Sequence, residues 1–383
     1  MTDTQVKARR PREGVAGGDC MIPARRHQLR ELMERHRLEG VLLERPENHA
    51  AFLGIRTYNG FSPEPPGRVA VLIPLDDSLP PSIVANRTEV SRIAGEELDS
   101  ALAYPYSWSE PGQKRSTLEN LTAGLRVGAD VPGYSAEVAH ELLELRASLF
   151  PEEIEEYRRL SQDCANIFER CVEFVKPGVP ELHIAAWLTS QMLEHNILPA
   201  LVLVAADDRL AYRHAVPTPK PIARHVQLSV TASRSGLFTS LTRILHFGRP
   251  PADLQARQEI AATIDAHAIA WTKPDAVIGH VFRRVAQKFS DCGWPDEWKE
   301  HHQGGPTGFS GRELKATAGE TAVVKPNQAW AWNPTIGAGV KSEDTVLVTP
   351  VGHEIMTCTP LWPTIAVEVD GETIERNGIL TAG

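Results

Sequence analysis

Residues 225–247 have the sequence HVQLSVTASRSGLFTSLTRILHF, and this stretch decides the fold. In its first half, valine and leucine alternate with polar residues, which is the period-two pattern of a strand. The tripeptide Arg234-Ser235-Gly236 breaks the pattern, and a second strand-like run extends from Leu237 to Phe247. We therefore predict a β-hairpin with a tight turn at the tripeptide and polar side chains along one face.

The segments on either side of the hairpin alternate between helix and strand patterns. The sequence Pro151-Glu152-Glu153-Ile154 is typical of a helix start, because proline fits the first turn and acids favour the positive helix end. Apolar residues at helical spacing continue to Val175, and Lys176-Pro177-Gly178 ends this helix. Further helices are predicted at residues 181–195, 253–271 and 278–292, and short strands at residues 321–324, 329–332, 344–349 and 364–367.

The residues before Pro151 predict a separate, smaller domain. Apolar residues from Leu29 to Leu38 fall at helical spacing, and helices that alternate with strands indicate an α/β layer. The apolar runs typical of buried strands are at residues 41–43, 68–73 and 82–85. The chain has 383 residues, a length that favours two domains. The predicted organisation is a disordered leader at residues 1–21, an N-terminal domain at 22–145 and a C-terminal domain at 146–383.

Composition and charge argue against several classes of function. The net charge of −9 disfavours a nucleic-acid or anionic-membrane partner. No window contains the roughly 20 apolar residues of a membrane helix, and the first 21 residues lack the apolar core of a signal peptide. The five cysteines form no CxxC pair, so neither a zinc ribbon nor a redox motif is expected. These features favour a protein of the reducing cytoplasm.

Four segments, in order, carry a family resemblance. They are the helix start at 151–154, the break at 176–178, the hairpin end Leu241-Thr242-Arg243 and the closing run 339–349, GVKSEDTVLVT. From about residue 150 to the end, the chain resembles the pita-bread family of aminopeptidase P, prolidase, methionine aminopeptidase and the metal-free creatinase. The residues before it are similar in outline to the creatinase N-terminal domain. The resemblance implies a mixed α/β (α+β) fold with a C-terminal pita-bread domain.

The resemblance also implies where a metal pair would be bound. Peptidases of this family hold two divalent metals with two Asp, one His and two Glu. The matching positions in this chain are Ser229, Ser240, Gly305, Asn333 and Glu343, and the resemblance implies that Ser229 and Ser240 face each other across the hairpin. Anionic ligands must offset the repulsion between two dications, and only Glu343 carries a charge. We therefore expect no metal and no other cofactor, with Ser229, Ser240 and Asn333 as a polar substrate-binding floor.

Creatinase implies a route without metal, because it uses a histidine as acid and base. The matching loop here carries His214, which either shuttles the proton or only binds substrate. The triplet Gly311-Arg312-Glu313 is similar to one that creatinase uses to bind substrate, so Arg312 is expected to bind a carboxylate. The alternative is that Arg312 pairs with Glu313 or Glu343. The catalytic Glu positions of creatinase hold Thr242 and Asn333, so creatine itself is not the expected substrate.

Two consecutive histidines, His301 and His302, precede the paired glycines of this region. If they lie on a strand, at most one of them faces the cleft, where it would bind substrate. An alternative is that one of them joins His214 and Glu343 in a single-metal site. Arg243 alternates to the face opposite Ser240, so it is predicted to pair with an acid behind the sheet.

The N-terminal domain carries a loop that, in creatinase, reaches the active site of a partner subunit. Its residues Arg56, Tyr58 and Phe61 are therefore predicted substrate contacts across a homodimer, of which Arg56 is the leading candidate.

The function that this reading favours is a metal-independent hydrolase or lyase of a small, polar, carboxylate-bearing C–N substrate. His214 is the expected general acid and base, and Glu343 is the second predicted catalytic residue. The first alternative is a non-catalytic pita-bread domain that binds a peptide or protein partner. The second is a metallopeptidase of the Xaa-Pro aminopeptidase or prolidase type.

Overall fold

The computed structural model describes residues 23–55, 68–98, 100–337 and 339–382. The chain divides after Arg146 into two compact units, which we call the N-terminal unit and the C-terminal unit. Both units combine helices with strands, so the predicted mixed α/β class is confirmed. Within these described ranges, no helix has the length and apolar character needed to cross a membrane.

A six-stranded sheet forms the centre of the N-terminal unit. Its helices are α1 (Pro23–His36), α2 (Pro46–Leu53), α3 (Arg87–Arg92), α4 (Gln113–Thr122) and α5 (Ala139–Ala147). Its strands are β1 (Gly40–Leu43), β2 (Ala70–Pro74), β3 (Ser82–Asn86), β4 (Leu102–Tyr106), β5 (Val127–Ala129) and β6 (Ala136–Glu137), in the order β4-β3-β2-β1-β5-β6. The three strands predicted here correspond to β1, β2 and β3.

Four helices of the C-terminal unit lie where the sequence predicts them. They are α6 (Pro151–Phe174), α7 (Glu181–Glu194), α8 (Ala252–Trp271) and α9 (Ile278–Asp291). Helix α6 begins with proline in its first turn, and the Glu153 carboxylate accepts a hydrogen bond from the Phe150 amide at 2.8 Å. This contact satisfies a backbone donor that has no partner inside the helix.

The predicted hairpin consists of β8 (His225–Arg234) and β9 (Leu237–Phe247). Ser235 and Gly236 form its two-residue turn with φ of 52° and 78°, as a type I′ turn requires. The hairpin belongs to a four-stranded sheet with β7 (Leu198–Ala206) and β16 (Ile379–Ala382), in the order β16-β9-β8-β7. Neither β7 nor β16 is predicted from the sequence.

The C-terminal unit contains a second four-stranded sheet. It contains β10 (Gly304–Thr307), β11 (Gln328–Trp332), β12 (Asp344–Thr349) and β13 (Gly352–Ile355), in that order, and β14 (Thr364–Val369) pairs with β15 (Glu372–Asn377). An isolated antiparallel bridge between Thr242 and Glu343 connects this sheet to the hairpin. The Thr242 amide donates to the Glu343 carbonyl at 3.1 Å.

The strand predicted at residues 321–324 is wrong. Only Val323 makes a β-bridge, with Val277, and the segment lies against the start of α9. The Ile278 amide donates to the Ala322 carbonyl, and the Val324 amide donates to the Ala276 carbonyl, each at 2.9 Å. The segment therefore pairs with the loop before α9 and does not belong to a sheet.

The core of the C-terminal unit contains two buried tryptophans. Trp330 and Trp332 on β11 stack with ring centroids 5.5 Å apart, and α8 and α9 contribute apolar residues to the same cluster. The Trp332 indole donates to the Thr272 hydroxyl at 2.9 Å, which satisfies its polar atom inside the core.

Candidate active site

The five positions predicted to match the family's metal ligands lie on two neighbouring rungs of connected strands. On the first rung, Ser229 pairs with Thr242, and Thr242 forms the bridge to Glu343. The register of β11 and β12 places Asn333 opposite Glu343, one pair beyond Trp332 and Asp344. The Asn333 backbone amide in turn donates to the Gln303 backbone carbonyl at 3.0 Å. Strand residues two positions apart share a face of the sheet, so the second rung, two residues along each strand, lies on the same side as the first.

The second rung contains Gly305 and Ser240. Gly305 pairs with Ala331, Ala331 pairs with Thr345, and the Ser240 amide donates to the Thr345 hydroxyl at 2.8 Å. A Cβ atom at position 305 would lie 2.3 Å from the Leu314 carbonyl oxygen. The backbone therefore leaves no space for any side chain at this position.

Hydroxyl groups form short ladders along the hairpin. Ser229 and Ser240 were expected to face each other, but the register pairs Ser229 with Thr242 and Ser240 with Thr231. The hydroxyl oxygens are 2.8 Å apart in the first pair and 2.9 Å apart in the second. The expectation is wrong because the two-residue turn fixes the register of the hairpin. In this register Ser229 and Ser240 lie diagonally across the two strands, on neighbouring rungs.

Glu343 lies at the centre of the site with two cations around it. Its Oε1 accepts from the Arg312 guanidinium at 3.2 Å, and its Oε2 lies 3.1 Å from the Lys341 ammonium. The Thr242 hydroxyl donates to the same Oε2 at 2.7 Å. Burial would raise the pKa of Glu343, but Lys341, Arg312 and the Thr242 hydrogen bond outweigh it and hold the pKa at about 2. Glu343 is therefore a carboxylate at neutral pH.

Arg312 uses little of its hydrogen-bonding capacity. One of its terminal nitrogens donates to the neighbouring Gly311 carbonyl at 2.6 Å, and the other makes the 3.2 Å contact with Glu343. Its Nε is buried and has no hydrogen-bond partner among the residues that the structure describes. The open alternative of a pair with Glu343 is thus realised, but it is a single, long contact and not a bidentate one.

His214 and His301 make a direct ring-to-ring contact. Their Nε2 atoms are 3.0 Å apart, and the rings meet edge to face. Such a hydrogen bond needs one proton between the two nitrogens, so the rings cannot both be protonated there. Burial and the Lys341 charge lower the pKa of His214, and burial, Lys341 and His302 lower the pKa of His301 to about 3. Both rings are neutral at pH 7.

His302 stacks on His301, with ring centroids 4.3 Å apart. The expectation that at most one of them faces the cleft assumed a strand, but β10 begins only at Gly304. In the irregular segment before it, both rings lie near the same charges. Burial, Arg312 and Lys315 lower the pKa of His302 to about 4.

An ion pair holds the loop that carries His214. The Arg213 guanidinium pairs with the Glu297 carboxylate and donates to the Gly337 carbonyl at 3.1 Å. The Gly337 amide donates to the same Glu297 oxygen at 2.7 Å. These contacts hold Arg213, the residue immediately before His214, against two other segments of the chain.

Buried polar atoms without partners concentrate in this region. Within the described part of the chain they include His301 Nδ1, His302 Nδ1, Gln303 Oε1, Arg312 Nε and Asn333 Oδ1. Buried polar groups normally find a partner, so such a cluster is typical of a binding site. The Gln303 amide is fixed in orientation because its nitrogen donates to the Trp298 and His301 carbonyls, at 3.0 and 2.5 Å.

The opposite face of the hairpin holds a structural ion network. Arg243 is buried and donates to the Asp344 carboxylate at 2.7 Å, which confirms the predicted pair behind the sheet. Arg376 bridges Asp344 and Asp265 at 2.7 and 2.6 Å. On the other face of β9, which also carries Ser240 and Thr242, His246 is buried beside His225, and its Nδ1 lies 3.0 Å from the Gly248 carbonyl.

The sequence reasoning did not identify Lys341, Gln303 or Thr242 as site residues. Lys341 is two residues before Glu343, a spacing that puts both on one face of a strand and was the available signal. Arg56, Tyr58 and Phe61 lie outside the described residues, so their predicted contact across a dimer stays a prediction. A group of three or more His, Cys, Asp or Glu side chains able to hold a metal is not found in the described ranges.

Comparison with known proteins identifies the family. The model of metallopeptidase family M24 matches residues 155–350, just over half of the chain. An uncharacterised peptidase of Staphylococcus epidermidis is 22% identical over 332 residues, which cover 80% of this chain and 92% of the relative.

Solved structures share the fold at low sequence identity. The Xaa-Pro dipeptidase from Bacillus anthracis gives a TM-score of 0.70 at 19% identity, over 88% of this chain and 98% of that one. The N-terminal domain of FACT complex subunit SPT16 from Cicer arietinum gives 0.63 at 12% identity, over 87% and 95%. The pita-bread fold predicted from the sequence is thereby confirmed. By its match over residues 155–350, the chain is a member of metallopeptidase family M24.

Proposed function

We propose that this family member is a hydrolase that cleaves a C–N bond in a small, carboxylate-bearing substrate without a metal pair. The observation that carries the proposal is the composition of the cleft. Where the family's metal ligands would lie, two cations surround one carboxylate, beside a pair of neutral histidines. The positive charge that metals supply in other members comes here from Arg312 and Lys341.

The donor atoms do not fit two divalent cations. Ser229, Ser240 and Asn333 are neutral, and Gly305 cannot carry a side chain because of the Leu314 carbonyl. Glu343 already forms ion pairs with Arg312 and Lys341, and these would repel a dication at the same oxygens. Metal clusters require anionic oxygen ligands to offset their own charge. The proposed reaction therefore uses no metal at this site.

His214 is the proposed general base and acid. Neutral imidazole takes a proton from water, the resulting hydroxide oxygen bonds to the substrate carbon, and the C–N bond breaks. The same proton then passes to the leaving nitrogen, so atoms and charge balance. The lowered pKa of His214 keeps it in the basic form at pH 7. The contact with His301 orients the ring.

Substrate binding is proposed for the polar floor around this pair. Arg312 binds the substrate carboxylate, and Asn333, Ser229 and Ser240 line the floor beside Glu343. His301 and His302 present buried nitrogens toward the same space. Because these groups are small and polar, the floor suits a polar molecule better than an apolar one.

A substrate screen in the presence of a chelator tests the proposal. N-acyl, ureido and guanidino acids are incubated with the protein in EDTA, and product formation in H₂¹⁸O separates hydrolysis from elimination. We expect turnover that EDTA does not change, that labels the product with ¹⁸O and that His214→Ala abolishes. Turnover that appears only after Mn²⁺ is added would contradict the proposal.

A second candidate is a non-catalytic domain that binds a peptide or protein. It is favoured by the neutral residues Ser229, Ser240, Gly305 and Asn333 at the positions predicted to match the family's metal ligands. It predicts that no compound in the screen is consumed and that His214→Ala binds the same peptides as the wild type. The buried ion pairs of Glu343 with Arg312 and Lys341 favour the hydrolase, since a site that is no longer used need not keep buried ionisable groups.

The cytoplasmic location and the homodimer remain proposals. The five widely spaced cysteines, which form no CxxC pair, support a reducing compartment. Sedimentation of the full chain tests the dimer, and a monomer at micromolar concentration would contradict it.

A further inference from the structure

Arg312 presents an unused edge to the cleft. A guanidinium binds a carboxylate best through two parallel N–H bonds, for example from Nε and one terminal nitrogen. The Nε of Arg312 has no partner within the described ranges, and the terminal nitrogen on Glu343 makes only a 3.2 Å contact. Charge-assisted bonds of this type are ordinarily about 2.7–2.9 Å. The pair with Glu343 therefore leaves the preferred carboxylate-binding edge unsatisfied.

Lys341 provides a second cation at the same carboxylate. Its ammonium lies 3.1 Å from Glu343 Oε2, while Arg312 contacts Oε1. Two cations thus share one acid, and the local charge is positive. A buried excess cation is costly unless an anion offsets it.

Glu343 has the surroundings of a bound anion and not those of an acid or base. Its carboxylate accepts from Thr242, Arg312 and Lys341, so both oxygens are occupied. A group that takes and returns protons near neutral pH needs at least one accessible oxygen. This arrangement argues against the catalytic role that the sequence predicts for Glu343.

We infer that Glu343 is an internal counter-ion, and that Arg312 and Lys341 together form a carboxylate receptor in which the ligand competes with Glu343. This inference rests on the proposed function, because it names how that site binds its anionic substrate. It adds Lys341 as a specificity-determining residue, and it assigns Glu343 to charge balance. It also predicts an unusual sign: removal of this buried acid strengthens anion binding.

Propionate, a bare monocarboxylate, is the probe, and propionamide is its neutral control. Binding is followed by titration calorimetry and by the thermal unfolding midpoint, neither of which needs turnover. In Glu343→Gln, we expect about tenfold tighter propionate binding than in the wild type, since the competing charge is gone. We also expect propionate to raise the unfolding midpoint of this variant more than that of the wild type.

Matched variants separate the receptor from general salt effects. Addition of Arg312→Met or Lys341→Met to Glu343→Gln should abolish the gain. Glu354→Gln removes an acid that accepts two 2.8 Å bonds from Arg158 on the surface, and it should give no gain. If Glu343→Gln does not fold, the single variants Arg312→Met and Lys341→Met still test the receptor, because each should lose the wild-type response.

Three outcomes would overturn the inference. They are equal propionate binding in Glu343→Gln and the wild type, an equal response to propionamide, and Mn²⁺ binding that Glu343→Gln abolishes. A failure of the proposed hydrolase looks different, since the wild type would then consume no compound in the screen, or only after Mn²⁺ is added, while propionate binding followed the pattern above.

Discussion

The Nε2 atoms of His214 and His301 lie 3.0 Å apart, so one hydrogen links an exposed imidazole to a half-buried one. The half-buried ring is kept neutral by its partial burial and by the nearby Lys341 and His302. An exposed ring with a neutral hydrogen-bonding partner is oriented and remains free to exchange protons with water. This relationship is the basis of the role proposed for His214.

Substitution of His214 tests that role. In His214→Ala we expect kcat to fall by about 10²–10⁴, the usual contribution of general acid–base catalysis. The unfolding free energy should change by less than about 0.5 kcal/mol, because the side chain is exposed. Tyr212→Ala, on the same exposed loop, is the control and should retain most of the turnover. Equal losses in both variants would show that the loop, and not the imidazole, matters.

The pH dependence of stability should report on His302. Its pKa is lowered to about 4 by burial, Arg312 and Lys315, whereas an unfolded histidine titrates near 6.5. Between these values the unfolded chain binds the extra proton, so stability falls as the pH drops from about 6.5 toward 4. In His302→Gln, the slope of the unfolding free energy against pH should be smaller by the contribution of close to one proton. Urea unfolding at pH 7 to 4.5 measures this slope.

Other groups contribute to the same curve, so the difference between the two proteins is the test. His225, with a pKa near 4, acts in the same direction as His302. Asp265 acts oppositely, because burial raises its pKa to about 6 and its contribution falls as pH rises from 3.8. Both remain in the variant, and parallel curves would contradict the assignment.

Arg243 should stabilise the fold without contacting substrate. It is buried and pairs with Asp344 behind the sheet, so in Arg243→Met the single cation Arg376 must offset two buried acids, Asp344 and Asp265. We expect a loss of about 3–5 kcal/mol in unfolding free energy. Arg158→Met, which removes a surface pair with Glu354, should cost less than about 1 kcal/mol. Chemical denaturation of both variants makes the comparison, and equal losses would refute the structural role.

The ion pair of Arg213 with Glu297 should hold the His214 loop in place. Arg213→Met is expected to speed proteolytic cleavage near residues 212–217 and to lower kcat, though by less than His214→Ala does. The same variant should bind propionate like the wild type, since Arg312 and Lys341 are unchanged. Unaltered cleavage in Arg213→Met would contradict the positioning role.

The fold was largely predictable because its signals are local. The hairpin alternation and the helix start at Pro151 both depend on neighbouring residues, and both are confirmed. The strand predicted at 321–324 failed because its partner is the loop before α9, which no local pattern reveals. Strand β7 was missed, although its apolar run is typical of a buried strand.

The site was predictable only in part, because its chemistry depends on register. The family positions from Ser229 to Glu343 meet on two rungs, but that meeting requires the bridge between Thr242 and Glu343. The role of Lys341 depends on a contact with Glu343 that spacing alone does not guarantee. His301 and His302 were misjudged because the segment before Gly304 is not a strand.

Metal binding by the purified, chelator-treated protein distinguishes a metal-independent cleft from a metallopeptidase site. Calorimetric titration with Mn²⁺, Co²⁺ and Zn²⁺ is followed by assays of Xaa-Pro dipeptides and of the substrate found in the screen. We expect no tight stoichiometric binding at the Ser229–Glu343 site and turnover that added metal does not change. Tight binding of two equivalents of Mn²⁺ or Co²⁺, together with a gain of peptidase activity, would contradict this expectation.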